Sequence, residues 1–175
     1  CTYPVQQGRK LRVRNTDNIL NEMFHWYSKF GTKNFIFRDP VFSINRNHTI
    51  ELLNKLAKKK IKFNICIETH LKNIDKELIK LFKKAGVKLI YVGIESGDKK
   101  VLIDSKRTTI EFDDQIYKVK EIEKNNIRVK CMYIIGLPSD SLKTCIKTIA
   151  YSKNIFSSYA QFSVFTPYPG TPVFL

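Results

Sequence analysis

Short apolar segments with strand character alternate with amphipathic helical segments along this chain, and this alternation limits the fold more than any other feature. The strand-like segments cover residues 34–38, 61–67, 88–92, 128–135 and 160–165. They are nearly continuous apolar runs, which is typical of parallel strands buried on both faces of a sheet. Because helices separate them, the connections should be right-handed crossovers. The pattern predicts an α/β fold and leaves two architectures open, a doubly wound sheet and a TIM-like barrel.

Capping residues and apolar spacing mark the predicted helices. Thr16 or Asp17 is expected to cap the first helix, and Gly31 to end it. Asp75 and Gly86 bound the third helix in the same way. The length of 175 residues and the apolar content of 43% suit one compact domain. The fifth helix carries its apolar side chains at Leu142, Ile146, Ile149 and Ala150.

The chain is strongly basic, with 31 Lys and Arg against 16 Asp and Glu and a net charge of +15. Such an excess attracts RNA or anionic surfaces, so a noncatalytic basic module that binds either is one interpretation. The lysines recur in nearly every predicted helix and outnumber the arginines, which favours a solvated outer surface instead. No apolar segment approaches the ~20 residues that cross a bilayer.

The four cysteines do not suggest a disulfide framework. In a chain of this length that opens without a signal peptide, they favour a reducing, cytoplasmic location. Cys66 and Cys131 lie in strand-like runs and Cys145 lies on an apolar helix face, where a free thiol behaves as a small hydrophobe. Cys1 lies apart from these runs, at the start of a loop-like segment.

Carboxylates stand where three of the predicted strands end: Asp39, Glu68 and Glu95. Parallel α/β sheets bind ligands at the carboxyl ends of their strands, so these side chains should project toward one rim. Carboxylates together with backbone groups suit a ligand that carries ribose hydroxyls and an ammonium. Glycines at the same strand ends allow a close backbone approach: Gly93, Gly97 and Gly136.

The motifs of several other chemistries are absent from the sequence. There is no Walker lysine motif or GxGxxG for phosphates, no HExxH or paired histidines for zinc, and no GxSxG nucleophile elbow. His70 is interpreted as a loop histidine rather than as an acid–base catalyst. A conventional α/β enzyme with Asp39 or Glu68 as its general base is a further alternative.

Five sets of residues at the strand ends follow one another in the order of a known family. They read CTYP with GRK, FRDPVF, VGIESG, YIIGLP and TPYPGT, at residues 1–4 with 8–10, 37–42, 92–97, 133–138 and 166–171. Together they resemble the radical S-adenosylmethionine (SAM) enzymes, most of all the branch that often carries an upstream cobalamin-binding domain. The resemblance extends over nearly the whole chain. Residues 1–175 are therefore interpreted as a radical SAM core domain that is truncated at both ends.

The resemblance implies a fold and a chemistry. The fold is a partial TIM barrel of six βα units, of which the first strand is missing from this fragment. The cofactors are SAM and a [4Fe–4S] cluster held by three cysteines of a CxxxCxxC loop, with an external electron donor. Reductive cleavage of SAM would give methionine and a 5′-deoxyadenosyl radical that abstracts hydrogen. Cobalamin-dependent methyl transfer is one reaction of this branch.

The same resemblance assigns site residues position by position. Cys1 matches the last cysteine of the cluster loop, so two cluster ligands are absent and this piece alone should be inactive. Asp39 matches the position near the SAM amino group, and Glu68 matches a rim position without a fixed role. Glu95 and Ser96 match the segment that approaches the ribose and methionine parts of SAM, and Lys106 or Arg107 could reach its carboxylate. Ile135 and Gly136 match the strand that contacts the adenine, with Asp140 near the family's acidic position. Thr166 lies where the last strand closes on the adenine.

These positions do not identify the substrate. Small molecules, lipids and tRNA are all modified on this scaffold, and the net charge of +15 is compatible with RNA. Because the chain contains no dedicated RNA-binding module, a small-molecule or lipid substrate is favoured over RNA. The sequence leaves the oligomeric state open.

Overall fold

Five parallel strands form one sheet in which each strand lies beside its predecessor in the chain. The computed structural model describes residue 8 and residues 10–107 and 109–174. Because the strand order is sequential and never reverses, the sheet curls as a half-barrel rather than forming a doubly wound sheet. This confirms the partial TIM barrel. The strands are β1 Asn34–Ile36, β2 Asn64–Glu68, β3 Val87–Glu95, β4 Arg128–Ile135 and β5 Tyr159–Val164.

Helices join the strands and cover the convex side of β1 to β4, whereas β5 is exposed along its whole length. They are α1 Thr16–Phe30, α2 Arg46–Ala57, α3 Lys76–Ala85, α4 Lys99–Asp104, α5 Phe112–Lys124 and α6 Leu142–Asn154. A 3₁₀ turn at Leu71–Asn73 and the short helix α4 were not predicted, because neither is long enough to show an apolar period. None of the helices in the described part of the chain is long and apolar enough to span a membrane.

The start of α1 differs from the prediction by one residue. Asn15, rather than Thr16 or Asp17, is the cap, and its side-chain oxygen accepts hydrogen bonds from the backbone N–H groups of Asp17 and Asn18 at 2.8 and 3.2 Å. Thr16 is already helical, and its hydroxyl donates to Glu51 on α2. The long-range partner of Thr16 is not visible in the local sequence.

The predicted ends of α3 are confirmed. Asp75 Oδ1 accepts a hydrogen bond from the Leu78 backbone N–H at 2.8 Å, and Gly86 ends the helix with φ of +96°. A Cβ atom on Gly86 would lie 2.3 Å from the carbonyl oxygen of Phe63. Glycine is therefore required here by both the backbone angle and the close approach.

The sheet is buried mainly on one face, which corrects the expectation of burial on both. The side chains of Ile65 and Ile67 on β2 and of Val129 on β4 point toward the helices on the convex face and are almost fully buried. The alternate residues Lys130 and Met132 lie on the concave side and are only half-buried. In the described part of the chain, helices pack on the convex face alone, so the concave face stays open.

The apolar side chains of α6 are exposed rather than packed on the sheet. Leu142, Ile146 and Ile149 are 79%, 57% and 45% exposed. The helix instead buries Thr148 and Tyr151, because the Thr148 hydroxyl is tied to the loop that follows β3.

The three cysteines within the described residues are free thiols. Cys66 and Cys131 are buried, in agreement with their interpretation as small hydrophobes, and Cys145 is half-buried. Burial raises the pKa of the Cys131 thiol to about 11, so this thiol stays protonated at neutral pH.

Phe63→Ala is expected to lower the free energy of unfolding by about 3–5 kcal/mol. Phe63 is 1% exposed and packs edge-on against the rings of Phe24, Tyr27 and Phe35. The matched control is Phe156→Ala, the same truncation at a side chain 81% exposed, which should change stability by about 0.5 kcal/mol or less. Urea unfolding followed by circular dichroism measures both, and equal losses would contradict this account of the core.

Candidate functional site

Residues from distant parts of the chain meet where the strands end. Because β1 to β5 are all parallel, their carboxyl ends lie at the same edge of the half-barrel. Glu68 ends β2, Glu95 ends β3 and Ile135 ends β4. These positions were predicted to share a rim, and the topology brings their backbones there.

At this edge the buried Glu95 forms an ion pair with the more exposed Arg107. The Glu95 side chain is 12% exposed, and the Arg107 guanidinium donates a hydrogen bond to its Oε1. Burial raises the pKa of Glu95, while the Arg107 charge opposes that shift. The Glu95 backbone has φ of +70°, a strained angle for a residue with a side chain. The surrounding structure therefore holds this carboxylate in one place.

Gly93 provides the space that the Glu95 carboxylate occupies. A Cβ atom on Gly93 would lie 2.4 Å from Glu95 Oε1 and 3.4 Å from Arg107 Nη2. The pairing of β3 with β4 also shifts register between Gly93 and Glu95. Because β3 is irregular here and Gly93 has no side chain, the Glu95 and Arg107 side chains can lie against the backbone of β3.

The next residue, Ser96, points into the protein interior rather than toward the open concave side. It is fully buried, and its hydroxyl lies 3.1 Å from that of Thr148 and accepts from the Asp98 backbone N–H at 3.1 Å. Gly97 donates its N–H to the same threonine, and a Cβ on Gly97 would lie 2.6 Å from Tyr151 Cβ. These contacts anchor the segment after Glu95 to α6.

Glu68 is half-buried on the concave side and interacts with two other charged groups. Burial raises its pKa, and the charge of Arg38, which follows β1, opposes that rise. The Glu68 charge in turn raises the pKa of Glu95. The carboxylates of β2 and β3 are thus electrostatic neighbours, each with its own arginine.

The turn after β4 exposes backbone at Gly136. Gly136 has φ of +83°, and a Cβ placed there would meet no atom within 4 Å. Asp140 Oδ2 accepts hydrogen bonds from the N–H groups of Gly136 and Leu137 at 3.0 and 2.9 Å, which holds the turn. The Ile135 carbonyl accepts from the Phe165 N–H at 2.8 Å, so β4 and β5 stay paired up to the edge.

The remaining predicted site residues are not brought into contact with the Glu95 pair. Asp39 is exposed and lines a groove of about 520 Å³ beside β1, together with Trp26 and His48. Thr166 is exposed after β5, and its hydroxyl contacts the Val164 carbonyl at 3.4 Å.

The predicted cluster ligand, Cys1, lies outside the described residues. Among the residues that are described, no group of three or more His, Cys, Asp or Glu side chains is arranged to hold a metal. Cys66, Cys131 and Cys145 are therefore not part of a metal-binding cluster among these residues.

Two basic residues of the concave side were missed by sequence reasoning, which concentrated on carboxylates. Arg38 lies in the same strand-end segment as Asp39. Its positive charge opposes the rise in the pKa of Cys66, Glu68 and Tyr91. Lys130 interrupts the apolar run of β4 at an every-second-residue position. That interruption is the signal that a charged residue faces the open side of the sheet.

The chain belongs to the radical SAM superfamily. The sequence model of the Radical SAM superfamily matches residues 1–151, which is most of the chain. The match confirms the family that the strand-end segments resembled.

Curated relatives of the chain are enzymes. A bacteriochlorophyllide d C-12(1)-methyltransferase of Chlorobaculum tepidum is 28% identical over 99% of this chain and 38% of its own length. An anaerobic magnesium-protoporphyrin IX monomethyl ester cyclase of Cereibacter sphaeroides is 27% identical over 95% of this chain and 28% of its own length. The chain thus spans less than half the length of these relatives.

A solved structure has the same fold. The radical S-adenosylmethionine methyltransferase TsrM from Kitasatospora setae, with cobalamin and a [4Fe–4S] cluster bound, matches with a TM-score of 0.81 at 18% identity. The match covers 91% of this chain and 32% of that one. At this identity the similarity concerns the half-barrel alone.

Arg107→Gln is expected to make stability depend more strongly on pH. The variant removes the charge that opposes the raised pKa of Glu95, so that pKa should rise further. A carboxyl group whose pKa is higher in the folded than in the unfolded state favours folding at low pH. That contribution to the stability of the protein is lost as the pH rises through the folded-state pKa. The variant should therefore match the parent protein below about pH 4 and be about 1–3 kcal/mol less stable at neutral pH.

Urea unfolding at a series of pH values measures this difference. Arg46→Gln is the matched control, because its partners Asp75 and Glu77 are exposed and such pairs contribute about 1 kcal/mol or less. A loss in Arg107→Gln that is the same at every pH would contradict the role assigned to the pair. Adding Glu95→Gln to Arg107→Gln should remove the additional pH dependence.

Proposed function

We propose that the protein containing this chain binds SAM at the edge where the five strands end. The observation that carries the proposal is the buried Glu95 carboxylate, paired with Arg107, at a strand end of a radical SAM domain. The donor set fits the cofactor, because it offers a carboxylate for ribose hydroxyls, a guanidinium for a carboxylate, and exposed backbone at Gly136.

Each predicted residue except Glu68, which has no fixed role, then has a proposed task. Glu95 accepts hydrogen bonds from the ribose, and Arg107 binds the methionine carboxylate of SAM while keeping Glu95 ionised. The backbone at Ile135 and Gly136 lies against the adenine, with Thr166 on its other side. Asp39 binds near the amino group, and Ser96 acts through its buried hydrogen bonds by holding the Glu95 turn.

When bound, SAM and a [4Fe–4S] cluster would supply a 5′-deoxyadenosyl radical after one-electron reduction by an external donor. Cys1 is proposed as one cluster ligand, because it matches the last cysteine of the family's cluster loop. The contribution of the half-barrel residues is to hold SAM in one orientation.

For the reaction that follows radical formation, we propose cobalamin-dependent methyl transfer to a small molecule. Two findings support it: a relative that is named as a bacteriochlorophyllide methyltransferase, and the fold of a methyltransferase whose structure contains cobalamin. A cobalamin-binding domain upstream of this core would supply that cofactor. We rank small molecules and lipids above RNA, because the lysines are spread over the helices. The free thiols support a reducing, cytoplasmic location.

Family membership argues against the two alternative interpretations. A noncatalytic basic module would bind RNA with a strong dependence on salt and would be indifferent to SAM. A conventional α/β enzyme with Asp39 or Glu68 as general base would turn over in air without iron.

Anaerobic reconstitution of the full-length protein with iron and sulfide tests the proposed reaction. With SAM and dithionite, it should produce 5′-deoxyadenosine, which liquid chromatography with mass spectrometry detects. The control is the same protein with Cys1 changed to alanine, which should produce none. A well-reconstituted sample that yields no 5′-deoxyadenosine would reject the proposal.

Glu95→Gln in the full-length protein should weaken SAM binding about tenfold or more, because a hydrogen bond to an ionised group is lost. Glu111→Gln is the matched control, since Glu111 is exposed and contacts only the surface Lys99 among the described ion pairs. Equilibrium dialysis with labelled SAM measures both affinities. Equal affinities in the two variants would remove Glu95 from the site.

A further inference from the structure

Four polar or aromatic residues form one row across the concave face. Strand register places Glu68 beside Tyr91, Tyr91 beside Lys130, and Lys130 beside Tyr159. They face the open side because their neighbours in sequence, such as Val129, point under the helices. The row therefore crosses β2, β3, β4 and β5 at one depth.

The part of this row that lies on β4 is positively charged. The Lys130 ammonium lies 5.2 Å from the centre of the Tyr91 ring. One row deeper on the same strand, Arg128 donates a hydrogen bond from Nη1 to the Tyr159 hydroxyl at 2.7 Å. Both cations are thus positioned by aromatic residues on neighbouring strands.

Neither cation has a carboxylate partner in the part of the chain that the structure describes. The nine ion pairs found there involve other residues. The concave carboxylates, Glu68 and Glu95, lie toward β2 and β3 and interact with Arg38 and Arg107. The open face is therefore divided, with negative groups on one side and unpaired positive charge on β4.

Packing does not account for a lysine at this position. Lys130 is half-buried in the middle of a strand whose other concave residues nearer the rim are apolar, Met132 and Ile134. Partial burial of an ammonium without a carboxylate costs free energy, and contact with one tyrosine ring offsets only part of that cost. A bound anion would complete the arrangement.

We propose that Lys130, assisted by Arg128, binds an oxyanion of the substrate, either a carboxylate or a phosphoryl group. This inference rests on the proposed function, because it places the substrate inside the half-barrel below SAM. Gly93 lies two residues above Tyr91 on β3, and two residues of strand span about 7 Å. A substrate anchored at Lys130 would reach from there to the rim beside Glu95.

The test measures binding of small probes to the reconstituted full-length protein. The probes are phenyl phosphate and benzoate, with benzyl alcohol as the uncharged comparison, each titrated by calorimetry. Lys130→Gln should weaken binding of at least one anionic probe tenfold or more. The matched control is Lys120→Gln, the same charge change at an exposed position of α5, which should leave that affinity unchanged.

The two anionic probes distinguish the chemical classes, since a preference for one identifies the group that the substrate carries. Equal binding of the anionic and uncharged probes, or equal effects of the two lysine variants, would overturn the inference. Loss of SAM affinity in Lys130→Gln would also overturn it, because the lysine would then serve the cofactor. SAM binding that stays intact while the anionic probes fail to bind rejects the oxyanion site and leaves the proposed function standing.

Discussion

The parallel pairing of five consecutive strands is the constraint on which the rest of this structure depends. Each strand returns beside its predecessor, so every carboxyl end opens at the same edge. Glu68, Glu95 and Gly136 are far apart in the sequence, and only this pairing brings them to one rim. The core on the convex side, centred on residues such as Phe63 and Ile90, stabilises the pairing by removing apolar surface from water.

The edge of β3 shows how a fold keeps an unfavourable arrangement in place. Glu95 combines a strained backbone angle with a buried carboxylate, and each would destabilise the protein by itself. Arg107 compensates the charge, Gly93 leaves room for the carboxylate, and the buried contacts of Ser96 with Thr148 anchor the following segment. At Glu95 the strained angle and the buried carboxylate coincide where a ligand is proposed to bind, and the contacts of neighbouring elements hold both in place.

The concave face has an electrostatic pattern that follows from strand order. Glu68 and Arg38 lie toward β2 and β1, whereas Lys130 and Arg128 lie on β4. Because adjacent strands present their alternate residues at the same depth, a few positions in each strand determine the charge distribution of the whole surface. A ligand that enters the half-barrel therefore meets a field that orients it as well as a surface that contains it.

The sequence by itself determined the order of the five strands and the five longer helices, the caps Asp75 and Gly86, the strand-end positions and the family, because these depend on residues close together in the chain. Periodicity left the choice between an open sheet and a barrel undecided. Only the tertiary structure decided that Asn15 caps α1, that α6 exposes its apolar side chains, that Glu95 pairs with Arg107, and that Lys130 faces the open side. Burial and ion pairing depend on neighbours contributed by distant segments, and those neighbours exist only once the sheet has formed.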